Sequence, residues 1–417
     1  MVEAAMKRYL FFAFSVFGIG GGQRYVANKA EYLKKKGFDV YTFSHSLLSS
    51  NGEIYYAGLE QAENFVMKEL RFYPDAYPKH KTKKILQKVV DLLPFANDDE
   101  IVIESNYLIG ALWAERVAER FKAKHIIYSV SEHNRIDMYM RDFLEFKAKR
   151  GEFSTISTRS VKELLAQSKV VTEQNLQILH ANLGDPIEDI TDERIQTFER
   201  GDYNICIIGR GEKRYVEYAC EEIVKFSRKH TDKRFSVGLI SQFNSTLDKK
   251  IHKLFDSTDN IKCHYWGYFA PFPRTLFEMF DLYVGGAGCA TLPYRQNALT
   301  LAMDLYNDKA LGLIGYDGCT SVYPAKTEQD TAEYLEDVFF TKYYLEKKHV
   351  PATVFDKNGA YDSHMQFVEN SSDAVSYYSV INKNVGLKQI IKANFPILVS
   401  LSTKLLSIKK CRSNHEQ

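Results

Sequence analysis

The chain has 417 residues, more than one ordinary hydrophobic core supports, so two large domains are the simplest organisation. Hydrophobic residues make up 45% of the sequence and charged residues 26%, which excludes both a disordered chain and a membrane bundle. The 55 basic and 53 acidic residues give a net charge of +2, which excludes a global field that would recruit nucleic acid. Any anion site must therefore be local.

The apolar run near the start resembles a signal peptide, because it follows Lys7 and Arg8, but it ends in three glycines without a cleavage site. We therefore interpret it as a buried first strand and expect a cytoplasmic protein. No run approaches the ~20 apolar residues that cross a bilayer. The six cysteines are scattered without CxxC spacing, which indicates reduced thiols in a reducing compartment.

The first half alternates buried strands with amphipathic helices. Residues 8–17 are almost wholly apolar, and a glycine loop and a helical pattern follow them, which predicts a strand, a loop and a helix. Gly37 follows three lysines and ends this helix. The next predicted elements are a strand at 38–43, a strand at 101–104, a helix over 109–121 and a strand at 125–130. This order predicts parallel βαβ units.

The second half restarts the same alternation after a polar stretch at 185–193. Its predicted elements are strands at 203–208, 235–240, 261–266, 281–284 and 311–316, the last two completing a second parallel set, with a helix over 216–226. We therefore predict an α/β protein with two Rossmann-like, doubly wound parallel-sheet domains that face each other across a cleft. The expected domains are 1–190 on the acceptor side, 191–384 on the donor side, and a helix or tail at 385–417.

Three glycine loops each follow a predicted strand, where ligands bind in open parallel sheets. Gly21 and Gly22 open the first helix, where free N–H groups can hold an anion or a sugar hydroxyl. In the second loop, Arg210 and Lys213 follow Gly209 and can neutralise a departing nucleotide diphosphate. The third loop continues through Gly288, Cys289, Ala290 and Thr291, and its small residues admit phosphates and nucleoside sugars. The alternatives are tight turns and a solvated basic turn without a ligand.

The order of these motifs resembles the GT-B glycosyltransferases. The glycine pair before a helix, the stretch from Gly209 to Lys213, Gly267 after a strand, and residues 280–284 before a glycine loop are most similar to the large retaining family of sucrose, mannose and lipopolysaccharide-sugar transferases. The resemblance covers roughly residues 8–325. It implies that Arg210 and Lys213 hold the donor diphosphate, and that the first glycine pair lies under donor and acceptor.

The same resemblance implies a histidine that contacts the transferring sugar, for which His133 in the stretch 129–134 is the candidate catalytic residue. The family's paired glutamates are absent, because their places hold Pro293 and Leu301. If the helix register shifts, Asp304 or Asp308 takes over the ribose contact. Retention of anomeric configuration therefore does not follow from the sequence.

The sequence thus predicts a metal-independent glycosyltransferase that uses a nucleotide sugar, UDP- or GDP-linked, and no other cofactor. Its acceptor is a glycan, lipid-linked or protein group, in bacterial surface polysaccharide or glycoconjugate synthesis. The basic segment 79–84 runs into an amphipathic helix and could touch the inner face of a membrane. The alternatives are a non-catalytic carbohydrate-binding partner of the same fold and a nucleotide-sugar epimerase.

Overall fold

The computed structural model describes residues 5–46, 53–96, 98–130, 136, 138–165, 176–181, 187–243, 245–324, 330–353, 356–373, 376–378 and 385–395. The chain divides into two compact units, Met1–Leu183 with Asp356–Gln417, and Gly184–Phe355. The strands are β1 (Lys7–Ala13), β2 (Asp39–Ser44), β3 (Glu63–Val66), β4 (Glu100–Ser105), β5 (Lys124–Ser129), β6 (Phe153–Thr155), β7 (Ile187–Glu188), β8 (Tyr203–Ile208), β9 (Phe235–Ile240), β10 (Ile261–Tyr265), β11 (Phe272–Pro273), β12 (Leu282–Gly285), β13 (Thr300–Met303) and β14 (Ala310–Leu313).

The helices alternate with these strands. The α-helices are α1 (Gly21–Lys35), α2 (Ala57–Glu60), α3 (Lys79–Asp91), α4 (Leu108–Phe121), α5 (Met138–Lys149), α6 (Thr158–Leu165), α7 (Glu193–Gln196), α8 (Arg214–Lys229), α9 (Ser245–Asp256), α10 (Gly288–Arg295), α11 (Thr331–Glu336), α12 (Lys357–Asn370) and α13 (Leu387–Asn394). Short 3-10 turns lie at Lys68–Arg71, Pro74–Ala76, Arg274–Glu278 and Tyr343–Glu346, and a π-helical turn at Asp337–Thr341.

The first unit contains a parallel sheet in the order β3-β2-β1-β4-β5-β6. Successive residues of β1 enter different clusters, since Leu10 and Phe12 pack in one core layer and Tyr9 and Phe11 in the other. A strand buried on both faces in this way explains the unbroken apolar run at the start of the sequence. The predicted strands at 38–43, 101–104 and 125–130 and the helix over 109–121 are confirmed within about a residue at each end, whereas the first strand ends at Ala13 although the apolar run continues to residue 17.

Gly37 ends α1 as the sequence predicts. Its φ of +85° lies in the left-handed region that glycine adopts without strain. Its N–H donates to the Lys34 carbonyl at 3.0 Å, and the Phe38 N–H donates to the Leu33 carbonyl at 3.0 Å. These two bonds satisfy the last carbonyls of the helix and turn the chain directly into β2.

The second unit repeats the arrangement with the order β10-β9-β8-β12-β13-β14. The pairs from β10 to β13 are parallel, but β14 pairs antiparallel with β13, so the fully parallel set expected through 311–316 is wrong at its edge. The six residues between these strands are too few for a parallel crossover, which needs a dozen or more. Two Rossmann-like α/β domains are nevertheless confirmed.

The segment after residue 355 belongs to the first unit, whereas the sequence analysis placed residues up to 384 in the second domain. The reason is apolar packing: Tyr361, Phe367 and Val368 of α12 join the first unit's core. Val385, just before α13, and Ala393, within α13, join the other core layer of the first unit. Within the described ranges, no helix is long and apolar enough to cross a bilayer.

Candidate functional site

The candidate site lies at the carboxyl ends of β8 and β12, which are neighbours in the second sheet. Ile208 pairs with Gly285, so the loops that follow the two strands start side by side. The sheet order reverses at this pair: β9 and β10 lie on one side of β8, whereas β12 and β13 lie on its other side. Ligands of open α/β sheets bind in the crevice at such a reversal. The second and third glycine loops therefore meet where the sequence reasoning expected an anion.

Two glycines of the 209–213 loop are required by packing. A Cβ on Gly209 would stand 2.4 Å from the Tyr215 hydroxyl, and one on Gly211 would stand 2.2 Å from the Gln242 carbonyl oxygen. Both distances are shorter than any real contact. These glycines hold the loop tightly against its own helix and against the end of β9, so the neighbouring cations have a fixed backbone.

Arg210 and Lys213 lie in this loop and differ in their surroundings. The Arg210 side chain is 37% exposed, and its Nε lies 3.1 Å from Glu212 Oε1. Lys213, directly before α8, is half-buried. Burial and the nearby Arg210 charge lower the Lys213 pKa, although Glu212 and Cys289 oppose the shift. Arg210 and Lys213 thus place two positive charges beside the N-terminus of α8, an arrangement that favours the binding of an anion.

The third glycine loop is strained where it enters α10. Ala287 has a φ of +50°, which L-residues rarely adopt, and its N–H donates to the Ser321 carbonyl at 2.8 Å. A Cβ on Gly286 would stand 2.7 Å from Leu305, so packing requires that glycine. A Cβ on Gly288 would meet no atom within 4 Å. Packing therefore does not account for Gly288, the first residue of α10.

Tyr215 joins the two loops, and the sequence analysis did not single it out. Its hydroxyl donates to the Ile208 carbonyl at 3.3 Å and also hydrogen-bonds the Cys289 side chain and the Gly286 backbone. Burial, with Cys289 beside it, raises the Tyr215 pKa well above its ordinary value, so the hydroxyl stays neutral. The structure thus brings Gly209, Gly286 and Cys289 around one buried phenol. The sequence gives no signal for this role of Tyr215, because its contact with Cys289 joins residues about 75 positions apart.

The remaining predicted residues of the second unit have separate structural partners. Asp304 accepts hydrogen bonds from the Tyr306 and Asn307 N–H groups at 2.7 and 2.8 Å, which closes the β13–β14 turn. Asp308 forms an ion pair with Arg214 at the start of α8. Ala290 is buried, and the Thr291 hydroxyl donates to the Ala287 carbonyl at 3.1 Å.

Pro293 and Leu301, which the resemblance places where its family has glutamates, are structural residues in the fold. Pro293 lies buried within α10, and Leu301 is fully buried in β13. The segment 300–303 is a strand, not the helix on which the register argument for Asp304 and Asp308 depends. The two glycine loops and their cations therefore remain as the candidate site of the second unit.

In the first unit, Gly21 and Gly22 begin α1 after β1 as expected. A Cβ on Gly22 would have one neighbour, Val130 at 3.9 Å, which is ordinary contact distance, so packing does not require this glycine. His133, the predicted catalytic residue, lies outside the described residues.

A buried ion pair joins α1 and β4 of the first unit. Lys29 of α1 and Glu104 of β4 are both fully buried and in direct contact. The Tyr9 and Tyr25 hydroxyls donate to the Glu104 carboxylate at 2.6 and 2.8 Å. Burial opposes the charge of Glu104, but Lys29 and His364 with these hydrogen bonds hold its pKa below the ordinary value. The cluster ties α1, β4 and α12 together.

A second buried hydrogen-bond network connects a serine, a histidine and a glutamate in the order of a hydrolase triad, but it is closed to solvent. Ser105 Oγ lies 2.9 Å from His125 Nε2, and His125 Nδ1 lies 2.6 Å from Glu115 Oε2. All three residues are at most 1% exposed, and Lys147 also contacts Glu115. Burial and then Lys147 lower the His125 pKa. No substrate reaches this serine, so the network is structural.

Comparison with known proteins identifies the fold. The structure resembles a glycosyltransferase from Rickettsia africae ESF-5, with a TM-score of 0.55 and 12% identity over 94% of this chain and 98% of that one. It also resembles S. aureus MnaA in complex with UDP, with a TM-score of 0.52 and 11% identity over 90% of this chain and 100% of that one. A UDP-GlcNAc 2-epimerase from Neisseria meningitidis bound to UDP-GlcNAc gives a TM-score of 0.50 and 14% identity over 88% and 99%.

Sequence comparison adds no closer relative. No family model matches the chain, and no curated protein matches it by sequence. At identities of 11–14%, the structural likeness defines the fold that transferases and epimerases share, namely the double-Rossmann GT-B fold.

Proposed function

We propose that this protein is a glycosyltransferase whose second unit binds the diphosphate of a nucleotide sugar between the 209–213 loop and the start of α10. The observation that carries the proposal is the meeting of these two loops at the reversal of the sheet, with Arg210 and Lys213 on one and the unpacked Gly288 on the other. The two cations and the N-terminal N–H groups of the helices would stabilise the negative charge of the leaving diphosphate.

The proposed donor is a UDP- or GDP-sugar, used without a metal or further cofactor, since the cations at the loop supply positive charge. The first unit takes the acceptor, a glycan, lipid-linked or protein group, in bacterial surface polysaccharide or glycoconjugate synthesis. We place the reaction in the cytoplasm, with the basic start of α3 as a peripheral contact to the membrane. His133 remains a proposed residue of the reaction.

Thermal unfolding with UDP- and GDP-sugars tests the donor site. A ligand at 100 times its Kd stabilises the folded state by about 2.7 kcal/mol, or roughly 5–10 °C in Tm for a domain of this size. Arg210→Ala and Lys213→Ala should each remove most of that shift. Lys249→Ala, an exposed lysine on α9, is the matched control and should keep it. An undiminished shift in both loop variants would refute the phosphate site.

A 2-epimerase is the second candidate, because epimerase structures match the same fold with TM-scores of 0.50 and 0.52. The products separate the two functions. An epimerase converts UDP-GlcNAc alone to its C2 epimer, whereas a transferase needs an acceptor and releases the nucleoside diphosphate. Donor binding with neither reaction, in the presence of glycan acceptors, would instead support a non-catalytic carbohydrate-binding subunit.

A further inference from the structure

Helix α13 of the first unit presents an apolar face to solvent. Leu387, Ile390 and Ile391 recur at helical spacings of three and four, and Phe395 follows one turn later, where its N–H still donates to the Ile391 carbonyl at 2.9 Å. These four side chains are 72%, 36%, 41% and 55% exposed, in that order. Single apolar side chains on a surface are ordinary, but four on one side of a short helix form a patch.

The basic start of α3 lies beside α13, because both helices are hydrogen-bonded to the turn at Pro74–Ala76. The Asn394 side-chain amide donates to the Ala76 carbonyl at 2.8 Å, and the Thr82 hydroxyl of α3 donates to the Pro74 carbonyl at 2.8 Å. Both helices belong to the same compact unit. The apolar face and the start of α3 are therefore neighbours on one surface.

The exposed side of α3 carries positive charge. Its exposed lysines, none of which forms an ion pair with another described residue, are Lys79, Lys83, Lys84 and Lys88. The one acidic residue of this helix, Asp91, lies at its opposite end. Along the sequence, residues 385–415 hold six lysines or arginines and no aspartate or glutamate. Positive charge thus accompanies the apolar residues both on the neighbouring helix and along the chain.

An apolar face beside lysines fits the surface of an anionic bilayer, where apolar side chains enter the headgroup boundary and lysines meet the phosphates. A second copy of this chain fits less well. A two-fold contact presents the same patch on both subunits, so the lysines of α3 would face each other. Four apolar side chains are also few beside the roughly 20–30 residues that each partner contributes to a stable interface.

We propose that α13 and the start of α3 form a membrane-docking surface, in which the four apolar side chains enter an anionic bilayer and the lysines contact its phosphates. This inference deepens the peripheral contact proposed above and rests on that part of the proposed function. The docking surface belongs to the first unit, to which we assign the acceptor. It therefore favours a lipid-linked acceptor over a free glycan or a protein.

Flotation of the full chain with lipid vesicles measures the docking. Vesicles of phosphatidylcholine with phosphatidylglycerol should bind the wild type. Vesicles of phosphatidylcholine alone should bind it at least about 10-fold less, because each lysine near an anionic surface contributes about a factor of five. Raising the ionic strength from about 0.1 to 1 M, which shortens the Debye length from about 10 to 3 Å, should weaken binding to the anionic vesicles in the same way.

Two double variants separate the apolar and the charged parts of the surface. Leu387→Gln with Ile391→Gln should lower the vesicle partition coefficient at least about 10-fold, because less apolar area enters the bilayer. Lys83→Gln with Lys84→Gln should lower it about 10-fold or more on anionic vesicles only. The matched controls, which should bind like the wild type, are Leu345→Gln, 69% exposed in the second unit, and Lys249→Gln on α9.

Three results would overturn the docking surface. One is vesicle binding that neither double variant weakens. Another is a lower free energy of unfolding in urea for Leu387→Gln with Ile391→Gln, since this would show that another part of the chain, such as 396–417, covers the face. The third is self-association of the wild type, measured by sedimentation, that the same variant abolishes, because the face would then be an interface between copies.

The thermal shift with nucleotide sugars keeps this proposal separate from the transferase function. A donor shift in a wild type that binds no vesicles overturns the docking surface and leaves the donor site standing. Vesicle binding that depends on α13 in a wild type without a donor shift supports the docking surface and overturns the transferase function.

Discussion

The buried pair of Lys29 and Glu104 offers a quantitative test of the first unit. We consider Lys29→Met, which keeps the apolar stem and removes the ammonium. Both partners are fully buried, so the remaining Glu104 carboxylate gains no compensating water. Breaking a buried ion pair by removing one partner costs about 3–5 kcal/mol.

Protonation of Glu104 sets an upper limit on this cost. The ordinary pKa of the group is 4.5, so carrying a proton at pH 7 costs about 2.5 pH units at 1.36 kcal/mol each, or about 3.4 kcal/mol. We therefore expect Lys29→Met to lose about 3 kcal/mol of unfolding free energy at pH 7. Loss of Lys29 raises the folded-state pKa of Glu104, so the folded state then binds the extra proton. The loss should consequently shrink by about 2–3 kcal/mol at pH 5.

Urea unfolding of wild type and variant at pH 7 and pH 5, followed by circular dichroism, measures both quantities. Lys29→Met with Glu104→Gln is the matched control, and it should be more stable at pH 7 than Lys29→Met alone because no unpaired charge remains. A loss under about 1 kcal/mol at pH 7, or an equal loss at both pH values, would show that the pair is not a buried charged pair.

Two other predictions concern a histidine and a pair of glycines. Burial and then Lys29 lower the His364 pKa from 6.5 to about 3, so between these pH values the unfolded state binds more protons than the folded state, and the free energy of unfolding falls as the pH falls. His364→Gln should flatten this pH dependence in urea unfolding between pH 7 and pH 4. An unchanged slope would contradict the assignment. Gly211→Ala should lower the free energy of unfolding by about 1–3 kcal/mol, because its Cβ would stand 2.2 Å from a main-chain oxygen. Gly288→Ala should leave the free energy of unfolding nearly unchanged, but it should reduce the thermal shift with nucleotide sugars. Equal effects of the two glycine changes on unfolding would count against the packing argument.

The fold and the function of this protein depend on different observations. The double-Rossmann fold is shared with transferases and epimerases at 11–14% identity, so it does not choose between them. The choice depends on side chains at the strand ends, and the proposed roles of Arg210 and Lys213 at the leaving diphosphate are the part of it that mutation can test.

The sequence alone determined the elements whose signals are local. Continuous apolar runs identified β1, β8 and β9, and Gly37 identified the end of α1, because burial on both faces and left-handed backbone each require particular residue types at fixed places. The loops at 209 and 288 were found for the same reason.

Tertiary structure decided what depends on contacts between distant residues. The antiparallel β14, the return of α12 to the first unit and the Tyr215 bridge between two loops join segments far apart in the chain. The same holds for α3 and α13, which are far apart in the sequence but are both hydrogen-bonded to the turn at Pro74–Ala76. Spacing along the chain records local geometry, but the pairing of strands and the packing of helices decide which distant side chains share one environment.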